Sequence, residues 1–232
     1  MKPLRFFQIL YLSSVLVGCF LASYPIPGMA DTGWQLAKEK DGITVHTRDV
    51  DGSPVKQFKA FTNVSASLAS VLAVMLDSDA CSEWIYRCKD ANVIKQRKFG
   101  DSYVYRIIDL PWPVTDRDIV MHKLVTQDPV TKTVTIKNTS APDAVPRKKY
   151  VRIEVSESLY TLEPLSDGSV KLTWTQLADP AGSLPKALVN SMIVTSPLST
   201  LKNLRTMVKK PEYKNAKLSH DDQGVLTGFA GE

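Results

Sequence analysis

Histidine is the side chain that most often moves protons in enzymes, and this sequence holds three, at His46, His122 and His220. They lie far apart along the chain and follow no zinc-binding spacing. The sequence also contains no Gly-x-Ser-x-Gly turn, no Gly-rich phosphate loop and no His-Glu-x-x-His helix. We therefore expect no catalytic residue, no metal site and no cofactor.

Lys123 is the residue whose position suggests a binding function. Period-two alternation places Ile119, Met121, Lys123 and Val125 on one face of a strand, so the lysine lies among apolar neighbours on the inward side. A buried ammonium group is unfavourable unless it meets an anion. Three alternatives stay open: the side chain extends to solvent, pairs with a carboxylate of the protein, or meets an anionic group of a ligand.

Two cysteines, Cys81 and Cys88, follow the N-terminal segment. On one straight helix they would be roughly 10 Å apart, which is too far for a disulfide. If the helix ends near Trp84, the chain can turn back and bridge them. Both outcomes stay open, and no histidine lies near enough in sequence to complete a metal site.

Alternating apolar residues between turn residues predict most of the chain to be β-structure. The predicted strands are at about 34–38, 43–48, 55–63, 92–98, 101–109, 117–127, 131–138, 149–163 and 168–177. A helix capped by Ser65 or Ser67 and a short helical turn carrying Trp84 interrupt them.

The last predicted element is a helix over about 184–209, which Pro197 should kink. Residues 139–146 are predicted to be a surface loop, and 210–232 a flexible tail. Strands followed by one long helix indicate an α+β domain, in which the helix lies across the open face of a curved antiparallel sheet.

Residues 1–30 are typical of a bacterial secretory signal: a basic start, an apolar run from Phe6 to Leu16 and a small-residue exit at Gly28-Met29-Ala30. Cleavage after Ala30 would release a periplasmic or secreted protein. Two alternatives are a retained membrane anchor over Phe6 to Ala22 and a lipoprotein acylated on Cys19, which follows Leu16-Val17-Gly18.

Without residues 1–30 the chain has 27 basic and 24 acidic side chains, a net charge of +3. This excess is compatible with approach to anionic membranes and too small to indicate nucleic-acid binding. The short run Arg147-Lys148-Lys149 is interpreted as a solvated loop.

Three sequence blocks resemble the START lipid-transfer domains, most closely the phosphatidylcholine transfer protein branch. The first is Leu76-Asp77-Ser78-Asp79 followed by Glu83-Trp84, and the second runs from Leu110 to Asp118 as LPWPVTDRD. The third is Ala178 to Pro185, ADPAGSLP, followed by Asn190 and Pro197. Their order matches the family over about 34–208.

The resemblance implies a helix-grip fold, in which the sheet wraps the C-terminal helix around an apolar cavity for one lipid. It also implies that the last helix and the loops near the cavity mouth act as a lid, and that 109–118 is a loop beside the cavity. Pro111 and Pro113 would stiffen this loop and Trp112 would cover apolar surface. Charge-assisted hydrogen bonds of Asp116, Arg117 and Asp118 would brace it.

One position departs from the family. Several sterol-binding members carry a buried acid before this loop and a base after it, and the matching positions here are Ile107 and Lys123. The missing acid argues against a sterol, and we expect Lys123 to face a phosphate or carboxylate of the ligand.

The sequence thus predicts a signal peptide at 1–30, a START-like lipid-binding domain at 31–209 and a tail at 210–232. The protein would be a monomer that shields one lipid, contacts membranes transiently and binds no nucleic acid. An enzyme of cyclase or hydrolase type on the same scaffold, and a module with a closed cavity, are the alternatives. The residues predicted to contact the lipid are Trp84, Tyr103, Tyr105, Ile107, Met121, Lys123, Leu172, Trp174, Leu188 and Met192.

Overall fold

The computed structural model describes residues 33–231. The predicted signal segment, residues 1–30, and its two alternatives therefore lie outside the described residues. Within residues 33–231, no helix is both long and apolar enough to cross a membrane.

The described chain contains one large, almost entirely antiparallel sheet. Its strands are β1 (Gln35–Lys40), β2 (Ile43–Arg48), β3 (Gln57–Val64), β4 (Cys88–Lys98), β5 (Asp101–Ile108), β6 (Arg117–Gln127), β7 (Val134–Ser140), β8 (Val151–Arg152), β9 (Ser156–Pro164) and β10 (Val170–Ala178). The spatial order is β1-β2-β3-β10-β9-β7-β6-β5-β4, and β8 pairs in parallel with β6.

Within residues 33–231, four α-helices and a 3₁₀ turn at Pro142–Ala144 accompany the sheet. The α-helices are α1 (Leu68–Leu76), α2 (Cys81–Trp84), α3 (Lys186–Met207) and α4 (Pro211–Lys214). Ser67 caps α1 by accepting a hydrogen bond from the Ser70 amide at 3.1 Å, as one of the two predicted caps. The disulfide Cys81–Cys88 joins α2 to the start of β4 across a Cα–Cα distance of 5.9 Å.

Helix α3 packs tightly against the sheet only along its second half. Its buried residues are Pro197, Thr200, Leu201, Leu204 and Met207. Thr200 Oγ1 accepts the amide of Tyr86 at 3.0 Å, and Arg205 donates to the carbonyl oxygens of Asn63 and Gly42. The first half, residues 186–196, contains no buried side chain.

The two ends of the β4-β5-β6 region differ in how the strands are connected, and we call them the corner end and the hairpin end. At the corner end, β5 leads into β6 through residues 109–116; at the hairpin end, β4 turns into β5 at Gly100. Gly100 has φ +72°, and a Cβ atom there would lie 2.8 Å from the Cβ of Val125. Only glycine fits this turn without displacing its neighbour.

The structure corrects two predicted elements. The predicted strand 149–163 is broken, because Arg152 binds Asp118 and draws β8 to β6, whereas β9 pairs with β7 and β10. The predicted flexible tail carries α4 and a hairpin of β11 (Leu218–His220) and β12 (Leu226–Phe229). Tyr213 is buried in the core, and the hairpin packs on that core through Leu218, Leu226 and Phe229.

Removing the disulfide should destabilise the fold modestly. The bridge closes a loop with a sequence separation of 7, and chain entropy then predicts a loss of about 2 kcal/mol. We expect Cys81→Ser/Cys88→Ser to lower the free energy of unfolding by this amount in urea titrations. Two reactive thiols in the native wild-type protein would contradict the bridge.

Candidate functional site

A cavity of about 170 Å³ lies between the inner face of the sheet and α3. Its wall combines apolar side chains from β5, β6, β7, β9 and β10 with α2 and the first half of α3. Five of the predicted lipid contacts line it: Trp84, Met121, Lys123, Trp174 and Met192.

The other five predicted contacts lie outside the cavity wall, and the structure corrects them. Tyr103, Tyr105 and Ile107 are on the outer face of β5, opposite His122, Val120 and Asp118 of β6. Leu172 is fully buried in the core beneath the cavity. Leu188 is half-buried, and Val189 beside it contacts the cavity instead.

The residues that cover the outer face of β5 explain why Tyr103 and Tyr105 lie on that side. The Tyr105 hydroxyl donates to Asp118 at 2.9 Å, and the ammonium of Lys148 lies 4.5 Å from the Tyr105 ring centre. Tyr103 stacks on His122 with ring centres 4.8 Å apart. Both rings thus have partners on the outer face.

Arg106 is the functional candidate that the sequence interpretation missed. It is on the inner face of β5 and lines the cavity, whereas Ile107, the assumed counterpart of the family's acid, is on the outer face. The residue of this part of β5 that faces the cavity is therefore a base, and Ile107 does not face the ligand space. Period-two spacing places Arg106 on the same face as Val104 and Ile108, but the opposite face of β5 is equally apolar, so this spacing alone does not identify the inward face.

Lys123 lies deep in the same wall, with 7% of its surface exposed. Its Nζ donates to the carbonyl oxygen of Met75 at 3.2 Å. The pKa of Lys123 is lowered to about 8: burial is the largest cause, the charge of Arg106 acts in the same direction, and the carboxylate of Asp77 opposes both. The ammonium form is therefore held against a substantial desolvation penalty.

The two cations have no close anionic partner. In the described chain, neither Arg106 nor Lys123 has a carboxylate oxygen within 4 Å. Burial lowers the pKa of Arg106 too, yet an arginine side chain stays protonated at neutral pH. The cavity lining adds no counter-charge, because among the described residues that form it there is no aspartate, glutamate or histidine.

Several polar atoms around the cavity also lack a partner within residues 33–231. They are Nε of Arg106, Oδ1 of Asn138 and the indole nitrogens Nε1 of Trp84 and Trp174. Buried polar groups in folded proteins are nearly always hydrogen-bonded. Such a set of donors and acceptors fits a polar ligand group at the base of an otherwise apolar cavity.

The corner end is held by the acid–Arg–acid triplet. Asp116 accepts from the Leu110 amide at 3.1 Å and from Lys89 at 3.0 Å. Arg117 donates to the carbonyl oxygens of Pro180 and Ala181 at 2.9 and 2.8 Å, which ties the segment before α3 to β6.

Asp118 completes the triplet inside the protein. Both of its carboxylate oxygens accept from Arg152, at 2.8 and 2.9 Å, in a fully buried pair. Arg152 also donates to the carbonyl oxygens of Val145 and Pro146, so one ion pair positions the whole 141–150 segment. Breaking a buried pair of this kind typically costs 3–5 kcal/mol.

The residue expected to cover apolar surface in this loop does not do so. Trp112, between Pro111 and Pro113, is 92% exposed, and the Trp112–Pro113 peptide bond is cis. The loop therefore exposes a large apolar ring at the corner end.

The family model of the START domain matches residues 27–214 of the chain. An uncharacterized protein of Pseudomonas aeruginosa is 35% identical over 179 residues, which span 76% of this chain and 87% of that protein. Human START domain-containing protein 10 is 26% identical over 210 residues, which span 82% of this chain and 67% of that protein.

Solved structures are similar over the same region. A fragment of the STAR-related lipid transfer protein from Xanthomonas axonopodis has a TM-score of 0.71 and 33% identity, covering 77% of this chain and 99% of that one. Human STARD10 has a TM-score of 0.68 and 24% identity, covering 80% and 77%. The predicted helix-grip fold is confirmed by these similarities.

The lowered pKa of Lys123 predicts the effect of this side chain on the free energy of unfolding. Its fall from 10.5 to about 8 on folding corresponds to a destabilisation of about 3 kcal/mol at neutral pH. We expect Lys123→Met to raise the free energy of unfolding at pH 7, in contrast to Lys137→Met on the exposed face of β7.

The pH dependence follows from the sign of that shift. Between pH 8 and 10.5 the unfolded chain binds more protons than the folded one, so wild-type stability should rise in this window and the advantage of Lys123→Met should shrink. Urea titrations at several pH values measure both. A variant that is less stable than wild type at every pH would contradict this account.

Proposed function

The chain belongs to the START domain family, and from that premise we propose that its cavity binds a single lipid whose phosphate or carboxylate lies at Arg106 and Lys123. The observation that carries this proposal is the pair of cations in the cavity wall with no carboxylate of residues 33–231 within 4 Å. An anion there would replace the lost hydration of both groups. The ligand is then a phospholipid or another lipid with an anionic head group.

The apolar part of the cavity would supply the affinity for the lipid chains. Each buried CH₂ group contributes about 0.8 kcal/mol, so a chain held against Ile119, Ile153 and Ile193 can compete with a bilayer. Extraction, shielding and release of a lipid need no covalent chemistry. The protein would act as a carrier or a sensor.

Binding requires the cavity to widen. Its volume of about 170 Å³ is smaller than the roughly 300–1,000 Å³ of ordinary ligand pockets. The first half of α3, residues 186–196, is the element suited to move, since it holds Val189 and Met192 against the cavity but contains no buried side chain. Pro197 separates it from the anchored half and weakens the helix there.

The location of the protein in or outside the cell is also a proposal. The predicted signal at 1–30 favours a periplasmic or secreted monomer, with lipidation of Cys19 as the alternative. Transient contact with a membrane would then load and unload the lipid.

The corner end has the chemistry of a membrane-contacting surface. Trp112 is exposed there, and Lys148 and Lys149 of the neighbouring segment lie over tyrosine rings without an ion pair in the described chain. Tryptophan favours the interfacial region of bilayers, and lysines favour anionic lipids. Pro180, in the cavity wall, is tied to this same end by Arg117.

Removing either positive charge from the cavity wall tests the proposed binding of an anionic lipid. We expect Arg106→Met and Lys123→Met each to reduce extraction of phosphatidylglycerol from vesicles roughly 10–100-fold, since each loses a hydrogen bond to a charged group worth about 1.5–3 kcal/mol. Lys137→Met is the matched control. Diacylglycerol with the same acyl chains reports on the apolar part alone.

Extraction of diacylglycerol should be unchanged or improved in both cavity variants. Equal extraction of phosphatidylglycerol by wild type and both variants would refute the anionic site. Failure of the wild-type protein to take up any lipid would refute the carrier function itself.

Trp112→Ala tests the membrane contact separately. The ring has almost no contact with the protein, so we expect unchanged thermal stability but several-fold weaker association with anionic vesicles and slower lipid transfer. Val130→Ala, 86% exposed in the turn between β6 and β7 at the opposite end of the sheet, is the control. Cosedimentation that is equal for both variants and wild type would contradict this role.

A further inference from the structure

A second and larger cavity, of about 680 Å³, lies at the hairpin end of the sheet. Its walls are the end of α1, the turn between β4 and β5, and residues 212–217 and 229–231. We call it the rear groove. Its volume falls within the roughly 300–1,000 Å³ of ordinary ligand sites, in contrast to the narrow cavity under α3.

Lys123 is a wall residue of both cavities. One of its three ammonium donors is used by the Met75 carbonyl oxygen. The side chain of Lys123 therefore borders both spaces.

Part of the rear groove lies beyond the region that matches the START domain. The START match ends at residue 214, whereas the groove is closed by residues 215–231. The hairpin is fixed by an edge-to-face contact of Phe99 with Phe229 at 5.6 Å, and by His220 and Gln127, whose Nε2 and Oε1 are 2.8 Å apart.

The rear groove differs from the cavity under α3 in having carboxylates among its described lining residues. It is lined by both amides and carboxylates, with Gln96, Asp77, Glu212 and Asn215 among its side chains. These groups accept and donate hydrogen bonds and thus suit hydroxyl groups. Lys217 adds a second cation to the lining.

We propose that the rear groove receives the polar head group of the bound lipid, with the phosphate at Lys123 and the acyl chains directed under α3 toward the corner end. This inference rests on the proposed function and adds a preference for one class of lipid head group. The ligand class is a phospholipid whose head group carries hydroxyl groups beyond the phosphate, such as a glycerol or a sugar.

The rear groove can be filled without altering the apolar cavity. Ala230 lines the groove, and its backbone amide donates to the Lys217 carbonyl oxygen, a bond that a larger side chain retains. Ala230→Trp adds an indole there. Thr227→Trp adds the same indole on an exposed position of β12 outside the groove and is the matched control.

The experiment compares full-length wild type, Ala230→Trp and Thr227→Trp for uptake of phosphatidic acid and phosphatidylglycerol with identical acyl chains. Phosphatidylglycerol carries a glycerol beyond the phosphate, whereas the monoester phosphate of phosphatidic acid can take a second negative charge; comparing the uptake ratio among the three proteins cancels this difference in charge. We expect Ala230→Trp to lower the ratio of phosphatidylglycerol to phosphatidic acid uptake at least ten-fold, and Thr227→Trp to keep the wild-type ratio. Thermal melting of each variant reports on folding.

Each outcome has a distinct meaning. An unchanged ratio in a folded Ala230→Trp protein overturns the head-group site but leaves the carrier function intact. Equal loss of both lipids also overturns it, because the groove would then shape the cavity and not hold the glycerol. Uptake of neither lipid by the wild-type protein refutes the proposed function, and this proposal with it.

Discussion

The anchoring of α3 along only one half of its length is the constraint on which the rest of the structure depends. Leu201 and Leu204 are fully buried against the sheet, and Arg205 links the helix to the turn after β1 and to the end of β3. Because the sheet curves around this anchored half, its inner face diverges from residues 186–196. The space that remains is the cavity.

The two cations of the inner wall oppose folding, and the proposed binding of an anionic ligand gives them a partner. A core built for stability would carry apolar residues at Arg106 and Lys123, since buried charges without partners are unfavourable. The protein stabilises itself elsewhere, with the buried pair of Asp118 and Arg152 at the corner and the Cys81–Cys88 bridge beside α2. These stabilising contacts lie around the cavity. Several polar atoms of the cavity lining, in contrast, have no hydrogen-bond partner among the described residues.

Much of the fold could be predicted from the sequence, because alternation, turn residues and a serine cap are local signals. The family resemblance supplied the helix-grip arrangement. The inward face of β5 could not be predicted, since both of its faces are largely apolar and period two does not say which one faces the helix. Arg106 was missed for this reason, and Tyr103 and Tyr105 were assigned to the wrong side.

Other errors have a long-range origin. The break between β8 and β9 depends on the contact of Arg152 with Asp118, 34 residues away in sequence. The C-terminal hairpin is short and polar on its outer face, so its order comes from packing on Phe99 and the core and not from its own sequence. The exposure of Trp112 likewise depends on the braced loop that carries it.

Native mass spectrometry of the protein as purified from cells, followed by solvent extraction and lipid analysis, tests the central claim most directly. The account predicts one lipid per chain, carrying a phosphate or carboxylate. A bound neutral sterol, or a protein that stays free of ligand after incubation with mixed anionic vesicles, would contradict it.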